Sequence, residues 1–191
     1  MHSQYAPSTD ERGGIPVELV IFDCDGVLIN SEVISLSVLA GLLGTYSISI
    51  DNSYFTRQFL GRSFSHVREK VSLDFGVTLP DTFEQHYLST LMQRFDKELT
   101  PVDGIEDVLS QLNVPFCLAT SSHRERTDRA LKATGLAKYF SDNIYTASQV
   151  KRGKPEPDLF LFAASEQGFA PQNCLVTVSY THLTLPTNRE V

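Results

Sequence analysis

The sequence is poor in the residues that build ready-made cages. It has no tryptophan, two methionines and three cysteines in 191 residues. Three is an odd number, and Cys24, Cys117 and Cys174 each stand alone inside an apolar or strand-like stretch. Neither a disulfide framework nor a closely spaced zinc site fits that usage, so three buried, unpaired thiols are expected. Basic residues are also in deficit: 16 Lys+Arg against 23 Asp+Glu leave a formal net charge of -7, with no long basic run. That excludes a nucleic-acid binder whose affinity comes from neutralising phosphates. No apolar run approaches the length of a membrane span, and residues 1 to 14 lack the apolar centre of a signal peptide. A soluble cytoplasmic protein is the expectation, without a membrane partner. There is no glycine-rich nucleotide loop either.

What the chain does have is an alternation of strand and helix signals interrupted by one helical block. Residues 1 to 15 are polar and rich in turn formers, and read as a disordered leader. A first strand is expected at about Val17 to Asp23. From Ser31, a plausible N-cap with Glu32 in the first turn, apolar residues recur at helical spacing. Further helices are expected at about 52 to 60, 63 to 75 and 81 to 98, punctuated by Gly61, Gly76 and Leu79-Pro80-Asp81. After Pro101 the alternation resumes. A short helix (GIEDVLSQLN) precedes a buried strand, Val114 to Thr120, and a helix (RERTDRALKATGL) precedes a short strand, Asn143 to Ala147. A loop with Lys154 then leads into an apolar helix and a fourth strand ending at Val176. This order implies right-handed crossovers and a parallel sheet. The expected fold is α/β, a Rossmann-like parallel sheet (16–30 and 99–176) with an inserted all-helical cap (31–98).

The chemistry concentrates at one edge of that sheet. Side chains two apart on a strand share a face, so Asp23 and Asp25 can look into one pocket at the strand's carboxyl end, where open α/β sheets bind ligands. Gly26 allows a sharp turn immediately afterwards. Two such aspartates alone could be ordinary turn chemistry. Thr120, closing the second strand, and Lys154, in a loop before a helix, fall at the same edge and add a hydroxyl and a cation. That combination suits phosphoryl transfer, in which positioning and charge stabilisation lower the barrier.

The stretches FDCDGVLINSE, LATSS and GKPEPDLF, in this order and with a helical insert after the first, resemble motifs one to three of the haloacid dehalogenase-like hydrolases. The resemblance implies a Mg²⁺-dependent phosphatase acting on a small phosphorylated metabolite, a sugar or sugar-acid phosphate, with a sugar-phosphate mutase as the alternative and a non-catalytic phosphate-binding fragment as a third reading. Asp23 would be the nucleophile and a metal ligand. Asp25 would be the acid/base and bind metal through its main-chain carbonyl. Thr120 and Lys154 would hold the transferring phosphoryl group, with Ser121 and Ser122 nearby, while Arg62 from the cap and His123 could touch substrate. Asn30 stands where relatives commonly carry aspartate, a position that supports the cap hinge. Ser35 stands where the related mutases carry histidine, which disfavours a mutase. A monomer is favoured.

The fourth motif of the family, an acidic pair after the fourth strand, is missing: Thr177, Val178 and Ser179 occupy that region. Residues Val178 to Thr187, VSYTHLTLPT, instead resemble the translation of a transposase-type sequencing adaptor. Residues 177–191 are therefore expected to be non-native and the natural protein to be cut short at about Val176, with impaired catalysis.

Overall fold

A computed structural model describes residues 16–60 and 62–179. The expected leader and most of the expected tail lie outside these residues. Four strands, β1 (Leu19–Phe22), β2 (Phe116–Thr120), β3 (Ile144–Thr146) and β4 (Cys174–Thr177), form one sheet in the order β3-β2-β1-β4. Every neighbouring pair is parallel: Ile21 lies opposite Cys117 on one side and Val176 on the other, and Leu118 lies opposite Ile144. β1 is central and buried along its whole length, as a strand covered on both faces must be, which explains its unbroken apolar run.

The two faces of β1 feed two cores. Val20 and Phe22 pack with Leu118, Phe140, Ala130 and Leu131, whereas Leu19 and Ile21 pack with Cys117, Ala119, Leu159, Phe160 and Val176. Helices α5 (Ile105–Gln111), α6 (Arg124–Ala133), α7 (Ala137–Phe140) and α8 (Asp158–Glu166) complete this part of the chain. Leu159, Phe160, Ala163 and Ala164 make the buried stripe of α8. All three cysteines are buried and unpaired, as expected.

Between β1 and α5 come α1 (Ser31–Gly44), α2 (Asn52–Gln58), α3 (Phe64–Phe75) and α4 (Phe83–Glu98). They enclose a separate apolar cluster that includes Leu39, Leu43, Phe55, Phe59, Val71, Leu79 and Phe83. The two crossings into this block are tied together. Asn30 Nδ2 donates to Thr100 Oγ1 (3.2 Å) and the Pro101 carbonyl (3.0 Å), and the Val102 amide donates to the Leu28 carbonyl (3.0 Å). The side chain at position 30 thus fastens the crossings, which suits an amide that donates.

Some boundaries differ from the sequence expectations for identifiable reasons. Ser31 is not the N-cap of α1. Asn30 holds that place without a side-chain cap, and the Ser31 hydroxyl turns to Asp25. β2 begins at Phe116 rather than Val114, because Pro115 has no amide to give the ladder. α6 stops at Ala133, and Gly135, at φ +74, turns the chain into the short α7, which apolar spacing did not distinguish from the preceding helix. Among the described residues no helix is long and apolar enough to cross a membrane.

Candidate active site

The sheet changes winding direction at β1, with β2 on one side and β4 on the other, so the crevice at the carboxyl ends of these strands is the natural ligand site. Asp23 comes immediately after β1. Its Oδ1 accepts the Cys24 amide at 2.7 Å and lies 2.6 Å from Lys154 Nζ. The Lys154 side chain is 1% exposed and its ammonium sits 4.8 Å above the Phe160 ring. Burial pushes the Asp23 carboxyl above its ordinary range and the Asp25 charge adds to that, while the Lys154 ammonium and the Cys24 amide pull it down. A carboxyl group is thus held against a lysine side chain, both buried, at the carboxyl end of the central strand.

Asp25, two residues on, is held by different partners. Arg126 on α6 grips it with both nitrogens, Nη1 to Oδ2 at 3.0 Å and Nη2 to Oδ1 at 2.8 Å. The Ser31 hydroxyl donates to Oδ1 and the Ser122 hydroxyl to Oδ2 (3.1 Å). Burial would raise this carboxyl, but the Arg126 charge, its hydrogen bonds and the two hydroxyls outweigh it and bring the value down to about 2. The guanidinium in turn lies 5.1 Å over the ring of Phe95 on α4, and Arg129 pairs with Asp96, so α6 is joined to the helical block at the point where it holds Asp25.

These groups face a cavity of about 500 Å³. Asp23, Asp25, Ser121, Ser122, His123 and Lys154 line it from the sheet, and Ser35, Arg62, Phe64, Glu84, Tyr87 and Leu88 from the helical block. Thr120 does not line it. That residue is fully buried and its Oγ1 accepts the Ser122 amide (3.1 Å), shaping the turn that presents Ser121 and Ser122. Of the Phe and Leu positions of α4, Phe83, Leu91 and Phe95 are buried, whereas Leu88 is 37% exposed.

Three contributors escaped the sequence reading. Arg126 is four residues before the buried Ala130, so helical spacing already places it on the inward face of α6; that signal was available. Glu32 was read only as a first-turn acid, yet its Oε1 is buried without a hydrogen-bond donor. Ser179, beyond β4, donates its hydroxyl to the Asp25 carbonyl at 3.2 Å, a contact no local pattern announces.

The residues present fit a hard divalent cation. Asp23, the Asp25 carbonyl and Glu32 offer oxygen donors on one side of the crevice, and the Glu32 Oε1 lacks a partner there. Among the described residues no three His, Cys, Asp or Glu side chains group to hold a metal.

A parallel α/β sheet carrying an aspartate pair and a buried lysine at its switch point defines a class of hydrolases, and comparison with known proteins places the chain within it. Residues 17–177 match the haloacid dehalogenase-like hydrolase family, and the chain belongs to that family. It is 29% identical over 161 residues to 6-phosphogluconate phosphatase of Escherichia coli (strain K12), covering 84% of this chain and 73% of that protein. It is also 29% identical over 163 residues to validoxylamine A 7'-phosphate phosphatase of Streptomyces hygroscopicus subsp. limoneus, covering 83% and 75%. Among solved structures it resembles a haloacid dehalogenase family hydrolase from Deinococcus radiodurans with bound phosphate and sodium, at 30% identity and a TM-score of 0.70 over 86% of this chain and 73% of that one.

Proposed function

We propose that this hydrolase is a Mg²⁺-dependent phosphatase of small phosphorylated metabolites, sugar or sugar-acid phosphates, working through an aspartyl-phosphate on Asp23. The observation that carries the reading is the Asp23–Lys154 pair, buried at the carboxyl end of the central strand with Asp25 two residues away. The phosphatase activities named for the two relatives support the same class.

In this reading an Asp23 oxygen attacks phosphorus as the ester P–O bond breaks, and the departing alkoxide takes a proton from Asp25. Asp25 then takes a proton from water, whose oxygen attacks phosphorus and breaks the bond to Asp23, releasing inorganic phosphate. Lys154 offsets the charge of the phosphoryl oxygens throughout, with Ser121 and Ser122 at the same rim. Held by Arg126, Asp25 is ionised, so before it can protonate the leaving group it must leave that grip and take a proton from solvent. When bound, Mg²⁺ supplies positive charge against the phosphoryl oxygens. The helical block 31–98 acts as a cap over the cavity, with Arg62, and His123 from the sheet side, contacting the leaving group.

The test is phosphate release from a panel of sugar and sugar-acid phosphates with and without Mg²⁺. Metal-dependent release by the chain, abolished by Asp23→Asn, is expected. Release that survives this substitution contradicts the assignment.

A further inference from the structure

Glu32 is in the first turn of α1, where an acid ordinarily points into water and favours the helix N-terminus. Here it does not. Its Oε1 is buried and meets no hydrogen-bond donor, and it faces the backbone of Gly26 so closely that a Cβ built there would lie 2.3 Å from it. The same imagined Cβ would lie 2.8 Å from the Ser179 hydroxyl, which itself donates to the Asp25 carbonyl. Gly26 has φ +74, so both its conformation and the space beside it require glycine. The result is a small chamber bounded by a carboxylate oxygen, a hydroxyl and a main-chain carbonyl, opening on the cavity that Asp23 lines.

A carboxylate oxygen buried without a donor is costly, and the neighbouring Asp25 and Asp23 charges add to the cost. The Ser179 hydroxyl beside it offsets only part of the cost, because its proton goes to the Asp25 carbonyl. A cation beside Oε1 would offset the Glu32 charge directly. Thr177, Val178 and Ser179, at the end of β4 and just beyond it, bring no carboxylate.

We propose that Glu32 is a metal-holding residue in this protein, its Oε1 serving the divalent cation in the chamber beside Gly26 where the segment after β4 offers only a hydroxyl. The inference builds on the Mg²⁺ reading above but concerns binding, not turnover.

Mn²⁺ binding followed by electron paramagnetic resonance, with Mg²⁺ competition, tests it on the full chain, alongside Glu32→Gln, Glu32→Asp and, as a surface control, Glu166→Gln. Glu32→Gln should weaken Mn²⁺ binding roughly tenfold or more, and Glu166→Gln should leave it unchanged. In metal-free buffer Glu32→Gln should melt no lower than the parent, because it removes a poorly solvated charge, while the rise in Tm that Mg²⁺ gives the parent is lost. A residue serving only the fold would instead lower the metal-free Tm. Glu32→Asp, which withdraws the carboxylate along α1, should also weaken binding and covers the case in which the amide variant fails to fold. Unchanged affinity in Glu32→Gln, or a parent chain that binds no Mn²⁺, overturns the proposal. Phosphate release by a chain that binds no metal would overturn this inference together with the Mg²⁺ requirement and leave the Asp23 nucleophile standing; metal binding without release would do the reverse.

Discussion

Arg126 holds both carboxylate oxygens of Asp25 across 101 residues of sequence, and it does so with its own side chain only 16% exposed. The pair therefore joins the turn after β1 to α6, and through Phe95 to the helical block. Removing one partner of this partly buried pair leaves the other charge poorly compensated. Arg126→Gln is expected to cost roughly 1–3 kcal/mol, and Asp25→Asn combined with it to cost less than the sum of the two single changes. Chemical denaturation of the four proteins measures this directly.

The same pair sets an acid limb. The Asp25 carboxyl falls from its ordinary 3.8 to about 2. A depressed folded value stabilises the native state above the unfolded value, and the contribution disappears as pH falls through about 2. It amounts to about 2 kcal/mol. Between pH 4 and 2 the parent should lose more stability than Arg126→Gln does. Parallel loss in both would show that the pair does not govern this range.

How much of this was legible in the sequence depended on the range of the signal. β1 announced itself because a strand buried on both faces must be apolar throughout, and Asp23, Asp25 and Gly26 followed from its pleat and its turn. Lys154 was legible because its loop belongs to the third motif of the family resemblance. Thr120 was legible as the end of β2, but not that its Oγ1 accepts the Ser122 amide and so shapes the next turn. The partners of Asp25 were hidden because Ser122 and Arg126 reach it only after β2 has paired with β1. Glu32 was hidden for a different reason: a first-turn acid has a sufficient local explanation, and only the position of Gly26 and Ser179 shows that it faces inward.

Arg62 lines the cavity from the helical block and is exposed. Arg62→Ala should alter relative rates among sugar phosphates more than the rate on a small aryl phosphate, whose leaving group does not extend to the block. Equal slowing of both classes, or no change in either, would remove it from the specificity residues.

Ser179 touches the carbonyl that the family resemblance assigns to the metal. Ser179→Asp should place a carboxylate there and tighten Mg²⁺ binding roughly tenfold or more, with a larger rise in Tm on adding Mg²⁺ than the parent shows. An unchanged Mg²⁺ affinity by calorimetry would mean that the segment after β4 does not border the metal.

The account rests above all on Asp23 as the atom donor to phosphorus. Rapid acid quenching of the protein with Mg²⁺ and a phosphorylated sugar, followed by peptide mass spectrometry, reports it directly. A phosphoryl adduct on the peptide carrying Asp23, labile at alkaline pH and absent from Asp23→Asn, is the predicted result. Substrate turnover with no adduct at Asp23, or an adduct carried by another residue, would contradict it.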